Sequence, residues 1–309
     1  MNLAPAFATP ETFPLSDELH NLLRNLSQVL HEGIGFAVLR GLNPKDYSDD
    51  DNVILYAGLL SHIGDKRSTN AFGMSLEHIR NASLQPKPDG LEEDTELDPA
   101  KLNRGMSFHS DRFFADILAF YVKGKAAEGG DQHFASFWTV FNELRRSGPE
   151  ALKELTNDLI WPPHPDELDG LPVIEPMVLH SNGKIISQVI WAPFLANPEY
   201  LTGGLKSALG AINRSARANS ITVDSQPGDI QLLNNFAIMH SRQVFKDSEM
   251  ERRHLLRMGL RDSLNAWKLP DFAEKKLAER FNVDLGSQIM PVIDFDPWEI
   301  TGTNTNHHG

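Results

Sequence analysis

The sequence predicts a mainly β protein with flanking helices, an α+β chain whose core is a barrel or sandwich of short strands. Three observations predict it. Short apolar runs separated by Gly or charged turns fill the middle of the 309-residue chain. Helical periodicity is confined to the N-terminus, to insertions and to the tail. No strand–Gly-x-Gly-x-x-Gly–helix unit and no P-loop occurs, which removes the doubly wound folds that cradle dinucleotides or triphosphates.

Taken in order, an extended Pro-bearing arm runs to Pro14. Ser16 then reads as an N-cap, and Leu19, Leu22, Leu23, Leu26, Val29 and Leu30 form a 3.6-period stripe that stops at Gly33 and Gly35. The run 35–40 reads as a short buried strand, and 48–64 as a second helix. The polar, acidic segment Gln85–Lys101 reads as a mobile surface loop, with a role as a lid left open. Residues 106–111, 117–123 and 132–136 read as strands. Ser147-Gly-Pro-Glu150 reads as a capping box opening a helix through Leu155. Residues 163–172 are Pro-rich loop. The runs 173–179 and 184–190 flank Ser181-Asn-Gly183, a hairpin signal. A helix is expected over 198–218, strands over 229–236 and 254–262, a helix near 270–281, and a frayed polar end.

Composition narrows the function. Apolar residues are 40% and charged residues 23%, as in folded globular chains, and no run of about 18 apolar residues could span a bilayer. The first residues carry no basic stretch of the kind that opens a signal peptide, so a cytoplasmic location is expected. Cysteine is absent, which removes disulfides, thiolate metal sites and cysteine nucleophiles. The net charge of −13 speaks against nucleic acid or an anionic membrane as a partner. Any metal must be held by His, Asp, Glu or water.

Phe108-His109-Ser110-Asp111 carries the chemistry. On a strand, residues two apart share a face, so His109 and Asp111 can present an imidazole and a carboxylate to one ion. His240 lies far downstream, in Asn234-Asn235-Phe-Ala-Ile-Met-His240. Two His and one carboxylate on one face of an octahedron leave three positions open, the arrangement of non-haem Fe(II) oxygenases. A His-x-Asp alone also arises by chance in a chain with 12 His, and His164-Pro-Asp166 is a second copy, read as structural because Pro165 disfavours a strand. Further on, alternation puts Arg253, Leu255, Arg257, Gly259 and Arg261 on one face of a strand. That face is either solvent-exposed or the polar mouth of a barrel, with Gly259 leaving room for a ligand. In the second case two guanidinium forks meet two anionic groups.

The ordered set of motifs resembles the taurine dioxygenase and clavaminate synthase-like family of Fe(II)- and 2-oxoglutarate-dependent oxygenases. The run Gly228–Arg242 with Arg252-Arg-His-Leu-Leu-Arg257 resembles their C-terminal signature, and Phe108-His-Ser-Asp111 their first metal motif. Glu128-Gly-Gly-Asp131 and Gly35-Phe-Ala-Val-Leu-Arg-Gly41 match as well. The resemblance covers about residues 30–262 and implies a single catalytic domain with a double-stranded β-helix (jelly-roll) core. It implies iron on His109, Asp111 and His240, and the distal carboxylate of 2-oxoglutarate on Arg253. Arg257 would face an acidic group of a small anionic substrate, an amino acid or a specialised-metabolite intermediate. Where the taurine enzymes place a Thr on 2-oxoglutarate, this chain has Gln132, whose amide can donate the same hydrogen bond. Asn103, Arg104, Phe113 and Phe134 are candidate substrate-positioning residues. Hydroxylation with release of succinate and CO2 from dioxygen is the default outcome; desaturation and cyclisation use the same ligands. A zinc hydrolase on the same ligands and a non-catalytic carboxylate sensor are the alternatives, and a homo-oligomer is open.

Overall fold

In the computed structural model, residues 3–70, 72–91, 95–163 and 173–298 are described. The strands are β1 (Phe36–Leu39), β2 (Lys66–Arg67), β3 (Glu77–Arg80), β4 (Met106–His109), β5 (Ile117–Gly124), β6 (Glu128–Gly129), β7 (Gln132–Ser136) and β8 (Leu159–Ile160). They continue with β9 (Ile174–Glu175), β10 (Val178–Ser181), β11 (Lys184–Ser187), β12 (Ser220–Val223), β13 (Ile230–Asn234), β14 (Ile238–Arg242), β15 (Phe245–Lys246) and β16 (His254–Arg261). The helices are α1 (Asp17–Glu32), α2 (Asp49–Ser61), α3 (Phe137–Ser147), α4 (Pro149–Thr156), α5 (Ala192–Ala196), α6 (Gly203–Ala218) and α7 (Asp271–Glu279).

Two antiparallel sheets carry the fold. The larger runs β1-β13-β5-β16-β2, with β3 also paired to β16; the smaller runs β12-β7-β14-β4. The pleat of β5 shows how the layers form. Ile117, Ala119 and Tyr121 point outward and pack with Leu23, Leu30, Val53, Tyr56 and Leu60 of α1 and α2. Leu118, Phe120 and Val122 point inward and meet Phe134, Val223 and Ile238 of the smaller sheet. The outer face of the smaller sheet is covered by α3, α4 and α6 through Phe137, Val140, Leu155, Leu209 and Met239. β5 is therefore buried on both faces, which is why it reads as a near-continuous apolar run. This arrangement of two facing antiparallel sheets is the double-stranded β-helix.

Several expectations shift in detail. Ser16 does cap α1, accepting from the Leu19 amide, but Leu19, Leu22 and Val29 are exposed and the buried stripe is Leu23, Ser27, Leu30 and His31. β1 is half-buried because it is an edge strand. Ser147 ends α3, a helix the periodicity did not single out, and its hydroxyl donates to the Glu143 carbonyl; Gly148, with no side-chain cap, starts α4. The hairpin at Ser181–Lys184 is as expected, with Asn182 and Gly183 both at positive φ (46° and 76°). The segment Gln85–Lys101 is not surface loop throughout: Leu97, Asp98, Ala100 and Lys101 are buried. His164-Pro-Asp166, residues 92–94 and the polar tail beyond 298 lie outside the described residues. No described helix is long and apolar enough to cross a membrane.

β3 is tied to β16 by an imidazole pair, His78 buried and His254 half-buried. His78 Nε2–H donates to the Pro291 carbonyl (2.9 Å), so His78 Nδ1 accepts from His254 Nε2–H (2.8 Å). Burial pushes His78 down to about 4 and His254 well below the usual imidazole value, so both are neutral in the fold. In the unfolded chain they take up protons near pH 6.5. Their contribution to stability is present above that value and is lost as pH falls from about 6.5 toward 4. Urea midpoints measured between pH 7.5 and 5 should fall with acidification, and the fall should flatten in His254→Gln. An identical pH profile in that variant contradicts the assignment.

Candidate metal centre and co-substrate pocket

Two strands of the smaller sheet supply the imidazoles. β14 and β4 pair with His240 directly opposite His109, and the rings lie 4.1 Å apart. His109 Nδ1–H donates to the Ser107 carbonyl (2.7 Å), which turns its Nε2 lone pair toward Asp111. Nε2 of His109 and Nε2 of His240 each lie 3.6 Å from Asp111 Oδ1. Ligand atoms of the three residues fall within 4.8 Å of one another, and all three are buried. Burial and the neighbouring His109 push His240 down to about 3, so its imidazole is neutral and able to ligate.

Strand alternation does not place Asp111, because β4 ends at His109. A turn does. The Asp111 amide donates to Asn235 Oδ1 (2.9 Å), and Asn235 Nδ2 donates back to the carbonyls of Asp111 (2.7 Å) and Ala115 (3.0 Å). The Ser110 amide donates to the Val189 carbonyl (2.8 Å). Asn235 is fully buried and lies just past β13, in the turn that leads into β14 and His240. One amide side chain thus holds both halves of the ligand set in register. No local pattern in the sequence signals this contact, whose partners are 124 residues apart.

The pocket beside the triad is lined by His109, Asp111, Gln132, His240, Arg242, Arg253 and Arg257, among others. Arg253 is buried. Its Nε donates to the Gly130 carbonyl (3.4 Å), while its Nη1 has no hydrogen-bond partner. Gly130, at φ +78°, permits that approach: a Cβ there would sit 3.0 Å from Arg253 Cδ and 3.1 Å from Phe245 Cβ. This is the physical content of Glu128-Gly-Gly-Asp131. Gln132 is buried and faces Arg242 across β7 and β14.

Arg257 is buried, so the solvent-exposed reading of its strand face does not hold. Its Nη1 donates to Asp111 Oδ2 (2.5 Å), and its Nε to Glu77 Oε2 (2.9 Å). The two carboxylates keep the guanidinium charged despite burial. Glu77 reaches it because β3 pairs with β16 in the register Arg257↔Glu77, a long-range pairing with no sequence signal. Gly259 leaves no room for a ligand: a Cβ there would meet Ser68 Oγ, Ala115 Cβ and Phe114 Cε1 at 2.2–2.8 Å. The candidates Asn103, Arg104, Phe113 and Phe134 do not line this pocket. Arg104 is exposed near Glu96. Asn103 lends its carbonyl to the Phe245 amide. Phe113 packs with Leu179, Ile186 and Phe236, and Phe134 packs between the sheets.

Two imidazole nitrogens and one carboxylate oxygen on one side of a centre, with a pocket on the other, fit a divalent iron with open positions. The comparisons agree. Residues 2–258 match the model of the taurine catabolism dioxygenase TauD, TfdA family. The taurine hydroxylase-like protein SAT17 of Stachybotrys chartarum is 33% identical over 92% of this chain and 75% of its own. FR-33289 synthase of Streptomyces rubellomurinus is 24% identical over 77% of this chain and 72% of its own. Among solved structures, an asparagine oxygenase with Fe(II), 3-hydroxyasparagine and succinate superposes with a TM-score of 0.59. It is 15% identical and covers 81% of this chain and 84% of that one. The iron oxygenase OrfP, with succinate and hydroxyarginine, gives 0.58 at 14% identity, covering 84% and 86%.

Asn235→Ala removes the clamp and orphans a buried amide and two carbonyls. It should destabilise the fold by at least about 1–3 kcal/mol. It should also weaken Fe(II) affinity about 10- to 100-fold. Calorimetry and anaerobic metal titration check both, and unchanged iron affinity in a folded variant contradicts the role given to Asn235.

Proposed function

The chain belongs to the taurine catabolism dioxygenase TauD, TfdA family and is an Fe(II)- and 2-oxoglutarate-dependent oxygenase; from that premise we propose that it hydroxylates a small amino-acid-like substrate bearing both a carboxylate and an amine. The observation that carries this reading is the buried His109–Asp111–His240 triad opening on one pocket with Arg253. His109, Asp111 and His240 hold the iron, and Arg253, assisted by Gln132, takes the distal carboxylate of 2-oxoglutarate. Iron and 2-oxoglutarate supply the oxidation of a C–H bond by dioxygen, with release of succinate and CO2. The chain's own work is to orient that bond and keep water out.

The substrate side is a second cleft. It is lined by Glu77, His78, Lys101, Pro291 and Asp294, and it adjoins the metal pocket through Ile79 and Ala100, which line both. Charges of both signs surround it. Arg80 and Lys101 pair with Asp294 (2.7 and 2.9 Å), and Arg257 with Glu77. A zwitterion suits such a wall. Its carboxylate takes one side of the Arg257 fork from Glu77, and Glu77 then faces its amine. The asparagine oxygenase and OrfP structures hold hydroxylated amino acids on the same fold, which supports the class.

Anaerobic addition of Fe(II) and 2-oxoglutarate should give the visible charge-transfer band of the chelate, and zinc should not replace iron in turnover. His109→Ala and His240→Ala should each abolish the band and succinate formation with the fold retained; unchanged turnover in either variant sinks the reading. Succinate release should be stimulated by amino acids. Stimulation confined to acids lacking an amine overturns the substrate class and leaves the oxygenase standing.

A further inference from the structure

Arg253 shares its end of the pocket with a second buried guanidinium. Arg242 lies two residues beyond His240 on β14, opposite Gln132 of β7 and at a bulge against β4. The guanidinium carbons of Arg242 and Arg253 lie 5.3 and 5.4 Å from the same Phe245 ring. The residues are 6% and 5% exposed. Nε and Nη1 of Arg242 are buried and have no hydrogen-bond partner, like Nη1 of Arg253. Both residues line the pocket that holds the triad. The acidic groups that act on them, Asp98 on Arg242 and Asp247 on Arg253, do not form ion pairs with either guanidinium among the described residues. Two uncompensated cations at one end of a pocket are unfavourable until an anion joins them.

The remaining nitrogen of Arg242 does a different task. Nη2 donates to the carbonyls of Pro99 (3.2 Å), Leu102 (2.9 Å) and Arg104 (2.6 Å). These carbonyls belong to the segment 99–104, a strap whose Ala100 lines the pocket. Its other anchor is Lys101, whose Nζ donates to the His78 carbonyl (2.6 Å) and Asp294 Oδ1 (2.9 Å). Between the anchors, Ala100 forms wall for both the metal pocket and the cleft beside it.

We propose that Arg242 is a second guanidinium for the distal carboxylate of 2-oxoglutarate, and that the same side chain latches the 99–104 strap, so that binding of the co-substrate fastens the wall of the substrate cleft. The inference rests on the 2-oxoglutarate reading of the pocket. The anion joins Nε or Nη1 of Arg242 to Nη1 of Arg253, and Nη2 keeps its three carbonyls. Fixing the guanidinium at one edge reduces its freedom at the other, which gives coupling without any new contact to the substrate.

The experiment titrates anaerobic Fe(II) protein with 2-oxoglutarate and, separately, with pyruvate, which lacks the distal carboxylate. Arg242→Gln should weaken 2-oxoglutarate by about tenfold or more, as expected for a lost charge-assisted hydrogen bond. Its affinity for pyruvate should match the unaltered chain's. Arg242→Lys keeps the charge without the fork and should fall between; it also serves if the Gln variant fails to fold. Trypsin cleavage after Lys101 or Arg104 should slow when 2-oxoglutarate is added to the unaltered chain, and should be fast and insensitive to it in Arg242→Gln. Equal 2-oxoglutarate affinity in the folded variants removes Arg242 from the anion site. An equal loss for both acids reduces it to a support of the fold. Cleavage that ignores 2-oxoglutarate in the unaltered chain removes the coupling. Absence of the chelate band in the unaltered chain overturns the co-substrate reading itself.

Discussion

Arg257 holds the molecule's two halves to one purpose. It stands on β16 of the larger sheet, and its guanidinium bonds Asp111, a ligand carried by the turn after β4 of the smaller one. A buried charge of this kind is costly to desolvate and is tolerated only when paired and hydrogen-bonded. Removing one partner of such a pair costs about 3–5 kcal/mol. The structure meets that demand with two carboxylates, Asp111 and Glu77. One consequence is geometric: Asp111 Oδ2 is held by Arg257, which leaves Oδ1 directed toward the two imidazoles. Another is electrostatic. The metal end is neutralised from within, whereas the Arg242–Arg253 end is not.

That asymmetry divides the pocket into two kinds of site. Near the triad, the His240 imidazole is neutral and the carboxylate is partnered, so a divalent cation meets ligands already positioned for it. At the far end, two guanidiniums lie in apolar surroundings with donors unmet. A ligand with a chelating head and an anionic tail completes both ends at once, which is what a 2-oxo diacid offers. Preorganisation of this sort moves the cost of burying charge into folding, so that binding recovers it.

The layers around the site explain its rigidity. Each inward side chain of β5 packs between sheets and each outward one packs against helices. The ligand strands are therefore clamped on both faces. Glycine is used where backbones and side chains must come closer than a Cβ allows. At Gly130 the close neighbour is the Arg253 stem; at Gly259 it is Phe114, Ala115 and Ser68. Gly259 thus serves packing, although its place on the strand had suggested space for a ligand.

The sequence by itself determined the two long N-terminal helices, the strands around 106–136 and 229–262 apart from β14, the two imidazoles, the carboxylate and the strand carrying Arg253 and Arg257; it did not show α3, β3, β12 or β14. Those are local facts: alternation of apolar residues, turn residues and ordered motif spacing express short-range backbone and side-chain physics. It also carried the resemblance to the family. Only the tertiary structure decided that Asp111 is placed by Asn235 rather than by a pleat. It alone decided that Arg257 is held between Asp111 and Glu77, and that Phe113 and Phe134 are packing residues. It likewise brought Arg242 to the pocket and turned the end of an acidic loop into a buried wall. Each of these depends on contacts between residues distant in the chain or on the register of two strands. A linear pattern gives the face on which a residue lies, and what meets that face is set by the closure of the sheets.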